Sequence, residues 1–468
     1  MKKFLIIITS ICIAGLSIPF VSMIFRPTTE TTDNRKLAEF PNIAKPDGSL
    51  NGEFFSGFES WFADHFAFRN ELIYADARIQ NDVFKVSNVE GVISGNDGWM
   101  FYKSTLNDYL GTQRLSAREI YNIAHNLSLA NDYVKENGSR LLVTAPANKN
   151  TLYGKYMPYY DSYKVDETHN MDLLGPMLKE MGVPYADLIN EFKGEEDVLY
   201  LKTDSHWSNK GAVLAYNFLM DSLGLEHDDY SNVEVKKERR EQGDLSKMMY
   251  TFYGAREENY YYNIPQSFEY VGEGNDVEDM RLETKSSGVN GSLLMFRDSF
   301  GNTLIPIIAN QFKECRFTKE TAYSLEKQME SGNQDIVIFE KAERNVGQFM
   351  EMPPVIPAPL YDGQDAAALK NTEIKEKLET KTLIKSLNLD YNYFEISGEI
   401  EQGLPDTKSD ILVQVNDTIY KAYHTGEKSF VIYLKKDNVS FPAEVKVFVS
   451  GPSTYPVDVK TFNIEDTE

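Results

Sequence analysis

Apolar and polar positions divide the chain into stretches with different periods. Phe4 to Phe25 (FLIIITSICIAGLSIPFVSMIF) is apolar and uncharged, and Lys2 and Lys3 precede it. At about 20 residues the run is long enough to cross a bilayer. Two readings of it stay open, a cleaved signal peptide and an uncleaved anchor. In both, the lysines stay cytoplasmic and the rest of the chain is exported. Residues 26–50 are polar, contain prolines and have no period, which predicts a tether. Residues 53–84 are aromatic-rich with helical spacing, and Val92 to Tyr102 (VISGNDGWMFY) is a Gly-punctuated β-like piece.

From about residue 116 the pattern alternates between helix and strand. Ser116 is placed to cap a helix running to about Glu136, with Ile120, Ile123, Ala124, Leu127 and Val134 at helical spacing, and Gly138 stops it. Arg140–Ala145 reads as a buried strand, 167–181 as a helix, Val183–Leu188 as a strand and 208–223 as a helix. Gly291–Phe296 is a buried strand, 300–310 a helix and Asp335–Phe339 a strand. Such alternation predicts an α/β layer with a largely parallel sheet flanked by helices. Residues 226–285 interrupt the rhythm with a charged and then tyrosine-rich stretch, predicted as an insertion over one end of the sheet. Residues 351–375 carry Pro353, Pro354, Pro357 and Pro359 and read as a linker. Within 376–468 the pattern becomes short alternating runs: Phe394–Glu401, Asp410–Val415, Ser429–Lys435, Glu444–Val449 and Val457–Asn463. These predict a small antiparallel β-sandwich. The predicted organisation is therefore 1–25, 26–50, an α/β unit over 51–350, 351–375, and a sandwich over 376–468.

The 468 residues suffice for two or three domains. The formal net charge of −23 argues against nucleic acid and against anionic lipid head groups as partners. With two cysteines, one of them inside the apolar run, the chain is neither a disulfide scaffold nor a multi-cysteine zinc protein.

Ligands of an open parallel sheet bind at the carboxyl ends of its strands. Two segments are predicted there, Leu201-Lys202-Thr203-Asp204-Ser205-His206-Trp207 and Phe296-Arg297-Asp298-Ser299-Phe300-Gly301-Asn302. Ser299 closely follows an apolar strand and precedes a helix, so its hydroxyl projects at the active edge. A serine hydroxyl is a weak nucleophile without a base, and His206 is the best candidate. Asp204, two residues earlier, lies on the same side of an extended segment and would orient the imidazole. The competing readings are plain: Asp298 or Ser299 as a helix cap, Asp204 and His206 as loop residues, Trp207 as core. An Asp-x-His pair also ligates metals, but no second histidine pair stands at ligand spacing, so neither a metal nor a cofactor is predicted. His65, beside Asp64, is the one serious rival base. His125 falls off the apolar face of its helix, and His169, His227 and His424 lie in polar surroundings.

Asp204-x-His206-Trp207, followed far downstream by Asp298-Ser299-Phe300, resembles the DHHW family and the SGNH-hydrolase-like domain of alginate O-acetylation proteins. Asp64-His65-Phe66 to Arg69, Gly95 to Trp99-Met100-Phe101, Pro146 to Lys149, Gly243-Asp244-Leu245 and Glu343-Arg344 agree in order over roughly 45–350. The resemblance implies an SGNH-like α/β domain with Ser299 as nucleophile, His206 as base and Asp204 as orienting acid. It implies O-acetyl transfer or ester hydrolysis on a polysaccharide, and a polytopic membrane-bound O-acyltransferase as partner. Ser205 stands where the family name has a second histidine, and Arg297 where SGNH enzymes carry a glycine. Lys149, Asn150 and Asn302 are candidate oxyanion donors, and Arg344 a candidate for an anionic substrate. A non-catalytic glycan-binding or assembly protein of the cell envelope is the alternative, with the tyrosine-rich insertion and the sandwich as its grip.

Overall fold

A computed structural model describes residues 2–29, 36–320, 324–330, 334–363, 366–370, 382–386, 392–401, 403–450 and 455–462. Among the described residues the six longest helices are α1 (Lys2–Ser22), α2 (Phe54–His65), α3 (Arg69–Phe84), α4 (Ala117–Glu136), α5 (Asn170–Glu180) and α6 (Asn209–Ser222). The stretch expected as one aromatic helix is two, because Phe68 takes a left-handed φ of 64° between them. The β-like piece is a hairpin of Val92–Ser94 with Met100–Tyr102. Ser116 starts α4 with a capping box: its hydroxyl accepts from Glu119 N, and the Glu119 carboxylate accepts from Ser116 N.

The central sheet has seven strands, β1 (Arg140–Thr144), β2 (Tyr185–Ala186), β3 (Phe268–Val271), β4 (Arg281–Ser286), β5 (Asn290–Phe296), β6 (Phe312–Thr318) and β7 (Ile336–Glu340). Their order is β2-β1-β7-β5-β6-β4-β3. The first five pair in parallel, whereas β4 pairs antiparallel with β6, and the edge strand β3 antiparallel with β4. Alternate side chains enter opposite layers. Val143, Leu294, Phe296 and Phe339 pack with α4 and α5, while Leu142, Leu293, Met295 and Ile338 pack with α6. Burial on both faces explains the unbroken apolar runs of β1, β5 and β7.

Several sequence expectations change. The segment 226–285 is not wholly an insertion. Its last part supplies the edge strand β3 and begins β4, which alternates buried and exposed residues and so lacks a continuous apolar run. Strand β6 (FKECRFT) escaped notice because Lys313 and Glu314 are exposed and Arg316 is half-buried, which breaks its apolar run. Its Cys315 is buried. Val183–Leu188 shrinks to the two-residue β2, followed by a helix over Leu188–Lys193. The predicted helix over 300–310 is a 3-10 turn, Ser299–Thr303, then a short helix, Ile305–Ala309.

Toward the C-terminus two four-stranded antiparallel sheets face each other across one core that includes Ile396, Ile411, Phe430 and Val447. Leu383–Ser386, Thr418–Lys421 and Tyr423–His424 add short strands to those expected. Asn463, the predicted end of the last strand, lies outside the described residues, as do parts of the two expected linkers. The described parts of those linkers are packed. Val355 and Ile356 are buried, and Ala358 N donates to Tyr433 O. Thr28 N donates to His65 O, and Ala38 N to Asp64 Oδ2. The sandwich also packs on α4, where Asn122 donates to Gly426 O, Asn126 to His424 O, and Tyr121 to Asp410 Oδ1. His125 and His424 are therefore buried in this contact rather than lying at a polar surface.

Candidate active site

Ser299 opens the 3-10 turn that follows β5, at the carboxyl edge of the sheet. Three ionisable groups shape that turn. Asp298 accepts from Phe300 N at 2.9 Å with one oxygen and from Ala342 N at 2.9 Å with the other, so the cap is Asp298 and the Ser299 hydroxyl stays free for another partner. Glu340, at the end of β7, accepts from Asp298 N at 2.8 Å. Burial first, and then the Asp298 charge, push the Glu340 carboxyl well above its ordinary range. Arg297 is buried, and its guanidinium donates to the Asn302 side chain and to the carbonyls of Val277 and Asp279, tying the turn to the segment before β4. Gly301 is required beneath it, because a Cβ there would stand 2.7 Å from Arg297 Cδ.

The Asp204–His206 segment does not sit on a strand end, as its sequence suggested. It forms a tight turn closed by one bridge between Tyr200 and Trp207. Asp204 bends back, and its Oδ1 accepts from His206 N at 3.0 Å and from His206 Nδ1 at 2.7 Å. The other imidazole nitrogen, Nε2, lies 2.8 Å from Ser299 Oγ. Serine, histidine and aspartate thus form one hydrogen-bonded line. With Nδ1–H donating to the carboxylate, Nε2 is the acceptor for the serine proton. The Phe300 ring lies 4.8 Å from the imidazole and 5.1 Å from the Trp207 ring, and Trp207 Nε1 donates to Thr303 Oγ1. Trp207 is core that joins the two halves of the site.

Burial favours the neutral form of each partner, but the pair overrides it. Burial pushes the Asp204 carboxyl up. The hydrogen bond and charge of His206 and the amides of His206 and Asp244 outweigh it and hold the carboxyl at about 2. Burial likewise pushes His206 down, and Asp204, with Asp244 and Asp298, raises it above its ordinary value.

The turn is gripped from three sides. Lys149 Nζ donates to the carbonyls of Leu201, Lys202 and Asp204 at 3.0, 2.9 and 2.5 Å. Burial lowers its pKa to about 7 against the pull of Asp204, Glu257 and Asp244. Glu257 accepts from Thr203 N and Thr203 Oγ1 at 2.8 and 2.7 Å. Gly243 approaches so closely that a Cβ would lie 2.2 Å from Thr203 O. That approach lets Asp244 N donate to Asp204 Oδ2 at 2.9 Å, while the Asp244 carboxylate accepts from Ser205 N and Ser205 Oγ. Asp244 Oδ2 stands 3.7 Å from His206 Nδ1 as a second carboxylate. Asp204, His206 and Asp244 have ligand atoms near enough to share a cation, but Nδ1 and all four carboxylate oxygens already have hydrogen-bond partners.

The other sequence candidates fall elsewhere. Lys149 spends its three protons on carbonyls. Asn150 is buried, and its amide donates to Thr105. Asn302 donates to Glu278 Oε1 and accepts from Arg297. None of the three is a free oxyanion donor here. Arg344 does stand at the site: its guanidinium lies 5.8 Å from the Phe300 ring and 5.6 Å from the Tyr102 ring, and it forms no ion pair among the described residues. His65 is remote in its bonding, with Nδ1 on Trp61 O. Sequence reasoning gave Glu257 no role and quoted Asp244 only within a motif. The signal for Asp244 was the glycine before it, which permits the close approach.

Residues 92–269 match the model of the ALGX family, described as the SGNH hydrolase-like domain of acetyltransferase AlgX. No curated protein matches the chain significantly in sequence. Among solved structures, the chain is similar to a DHHW family protein from Eubacterium siraeum DSM 15702, with 15% identity, a TM-score of 0.39, and coverage of 48% of this chain and 85% of that one. It is also similar to Bacillus cereus PatB1, with 16% identity, a TM-score of 0.43, and coverage of 55% and 96%. For the O-acetyltransferase domain of Pseudomonas putida AlgJ the values are 16% identity, a TM-score of 0.36, and coverage of 55% and 92%. Residues 92–269 are thus similar to an SGNH hydrolase-like domain of the ALGX type, with the Asp204–His206 turn inside the matched residues and Ser299 beyond them.

Proposed function

We propose that the chain is an exported O-acetyltransferase or acetylesterase that works on a polysaccharide through an acyl-serine at Ser299. One observation carries the reading: the continuous line from Asp204 Oδ1 through the imidazole to Ser299 Oγ, at 2.7 and 2.8 Å. Both distances lie in the range a general base needs. His206 Nε2 takes the serine proton as Oγ forms its bond to the acetyl carbon. The tetrahedral adduct collapses, the donor C–O bond breaks, and the departing oxygen takes the proton from Nε2. An acceptor hydroxyl then gives its proton to Nε2 and attacks the acyl group. The Oγ–C bond breaks and Oγ recovers the proton. Asp204 stabilises the imidazolium in both halves. Transfer and hydrolysis differ only in whether a sugar hydroxyl or water is the acceptor.

The match to an acetyltransferase domain family supports acetyl as the group moved. A cavity of about 390 Å³, lined by Tyr261, Tyr262, Phe268, Asn302, Thr303 and Ile307, adjoins the serine turn and offers room for a sugar. Arg344 is the residue for an anionic group on that acceptor. In this reading α1 holds the protein outside the cytoplasmic membrane, and a polytopic membrane-bound O-acyltransferase delivers the acetyl groups. The test is acetyl transfer from p-nitrophenyl acetate to oligosaccharides, followed by mass spectrometry. Acetylated oligosaccharide or free acetate above background, abolished by Ser299→Ala, is expected. Equal turnover by Ser299→Ala would refute it, and oligosaccharide binding without turnover would favour the glycan-binding alternative.

A further inference from the structure

Helix α2 is inverted relative to a helix that packs on a protein core. Its 12 residues, FFSGFESWFADH, contain four phenylalanines and one tryptophan, yet its single buried residue is the carboxylate Asp64. Asp64 Oδ2 accepts from Ala38 N, so the acid faces protein. The rings form ladders along one side: Phe54, Phe58, Phe62 and Phe66 stack at 6.4, 6.3 and 6.1 Å, and Trp61 stacks on His65 at 5.3 Å. Phe55 is 81% exposed. At 100° per residue these positions span one arc, and the acidic Glu53, Glu59 and Asp64 lie outside it. The ladder rings are half-buried, and Phe40 packs on Phe54, Phe58 and Trp61 at 6.3, 6.1 and 4.9 Å while itself 55% exposed, so Phe40 and Phe55 lie on one contiguous aromatic patch rather than as isolated apolar residues.

Its occupant is indicated by what adjoins it. α1 is 21 residues long, uncharged beyond its first two lysines, and long and apolar enough to cross a bilayer. The chain leaving α1 is bonded directly to the far end of α2: Thr28 N donates to His65 O at 3.0 Å and Thr28 Oγ1 to Phe66 O at 2.8 Å. The Phe20 ring of α1 lies 5.7 Å from Phe62. Ile24 and Phe25, between them, are 75% and 85% exposed. The aromatic face of α2 therefore continues the apolar surface of α1 where that helix leaves the bilayer, the depth at which Trp and other amphipathic rings concentrate.

We infer that α2 lies in the lipid head-group layer and fixes the α/β domain against the membrane surface, rather than leaving it to swing on a tether. The inference rests on α1 being retained as an anchor. The helix has no Lys or Arg, so the contact is apolar and indifferent to lipid charge.

Trp61 is a built-in probe, because the chain's other two tryptophans, Trp99 and Trp207, are each 1% exposed. The full chain is reconstituted in phosphatidylcholine vesicles carrying nitroxide either on the head group or deep in the acyl chain. The fluorescence attributable to Trp61 is the difference from Trp61→Phe. The expected result is quenching of that difference by at least half with head-group nitroxide, less with deep nitroxide, and no change when anionic lipid is added. Failure of the chain to float with vesicles would overturn the inference through its anchor. Flotation without quenching of the Trp61 signal would overturn it for α2 itself. So would cross-linking between copies through a cysteine at Phe55 in place of quenching, which would make the face a protein interface. Labelling of Ser299 by a fluorophosphonate is read on the same samples, so failure of the membrane contact is distinguished from failure of the catalytic reading.

Discussion

Replacing Asp204 with asparagine removes a charge and keeps the shape. The Asp204 carboxyl moves from an ordinary 3.8 to about 2 in the fold. At 1.36 kcal/mol per unit, that is roughly 2 kcal/mol of preference for the ionised form beside His206. Loss of that energy from a transition state bearing an imidazolium slows acylation by roughly 50-fold. An asparagine amide facing Nδ1 adds a second effect. It can donate to Nδ1 and force the proton onto Nε2, the nitrogen that must accept from Ser299. Together the two effects should lower the second-order rate of p-nitrophenyl acetate cleavage by about a thousandfold or more. Asp204→Ala should be milder, because the second carboxylate, Asp244 Oδ2, is only 3.7 Å from Nδ1 and can move onto it. The double variant Asp204→Ala/Asp244→Asn should lose what the alanine variant retains. Circular dichroism and melting confirm that each variant folds. A loss under tenfold in a folded Asp204→Asn, or alanine slower than asparagine, would refute the reasoning.

Other consequences are as direct. Acylation needs neutral His206, whose pKa is raised by Asp204, so the rate should climb with pH to a midpoint above 6.5, and the midpoint should fall in Asp204→Asn. The same shift makes His206 stabilise the fold fully below its unfolded pKa and lose that contribution as pH rises through its folded one. Asp204 stabilises above 3.8 and loses its contribution as pH falls toward 2, which acid titration of the two variants separates. Gly243→Ala puts a Cβ against Thr203 O and should cost about 1–3 kcal/mol in urea melts, with a slower Ser299 reaction; an unchanged melt would contradict the close approach. Lys149→Met leaves three part-buried carbonyls without their donor and should cost about 1–3 kcal/mol, again visible in urea, whereas a neutral outcome would mean that the lysine does not hold the turn. Arg344→Gln should raise KM about tenfold for a uronate-containing acceptor and leave a neutral one unchanged; equal effects on both would remove it from recognition.

The parallel strands were legible because burial on both faces makes continuous apolar runs, as in Leu141–Val143 and Leu293–Phe296. Strands β4 and β6 were not, since exposed residues break their apolar runs, Glu283 in β4 and Lys313 and Glu314 in β6. Ser116 announced α4 through its side chain, whereas the break between α2 and α3 rests on a left-handed Phe68 that no residue preference signals. At the site, Ser299, His206 and Asp204 could be picked out by type and order, although the aspartate reaches the imidazole through a tight turn and not along an extended strand. The oxyanion candidates failed for a physical reason. Lys149, Asn150 and Asn302 are polar residues near the right strand ends, and sequence cannot tell a proton offered to substrate from one committed to a buried carbonyl or carboxylate. Glu257 acts from a loop and Asp244 from the first turn of a helix, both far along the chain, where only tertiary structure brings them to the turn.

The central claim is that Ser299 is an activated nucleophile. Intact mass after exposure of the protein to a serine-reactive fluorophosphonate tests it most directly, with Ser299→Ala and His206→Ala beside the native chain. The account predicts a single adduct on the native protein, located at Ser299 by peptide mapping and lost in both variants. A folded native protein that takes no adduct, or one labelled equally in both variants, would contradict it.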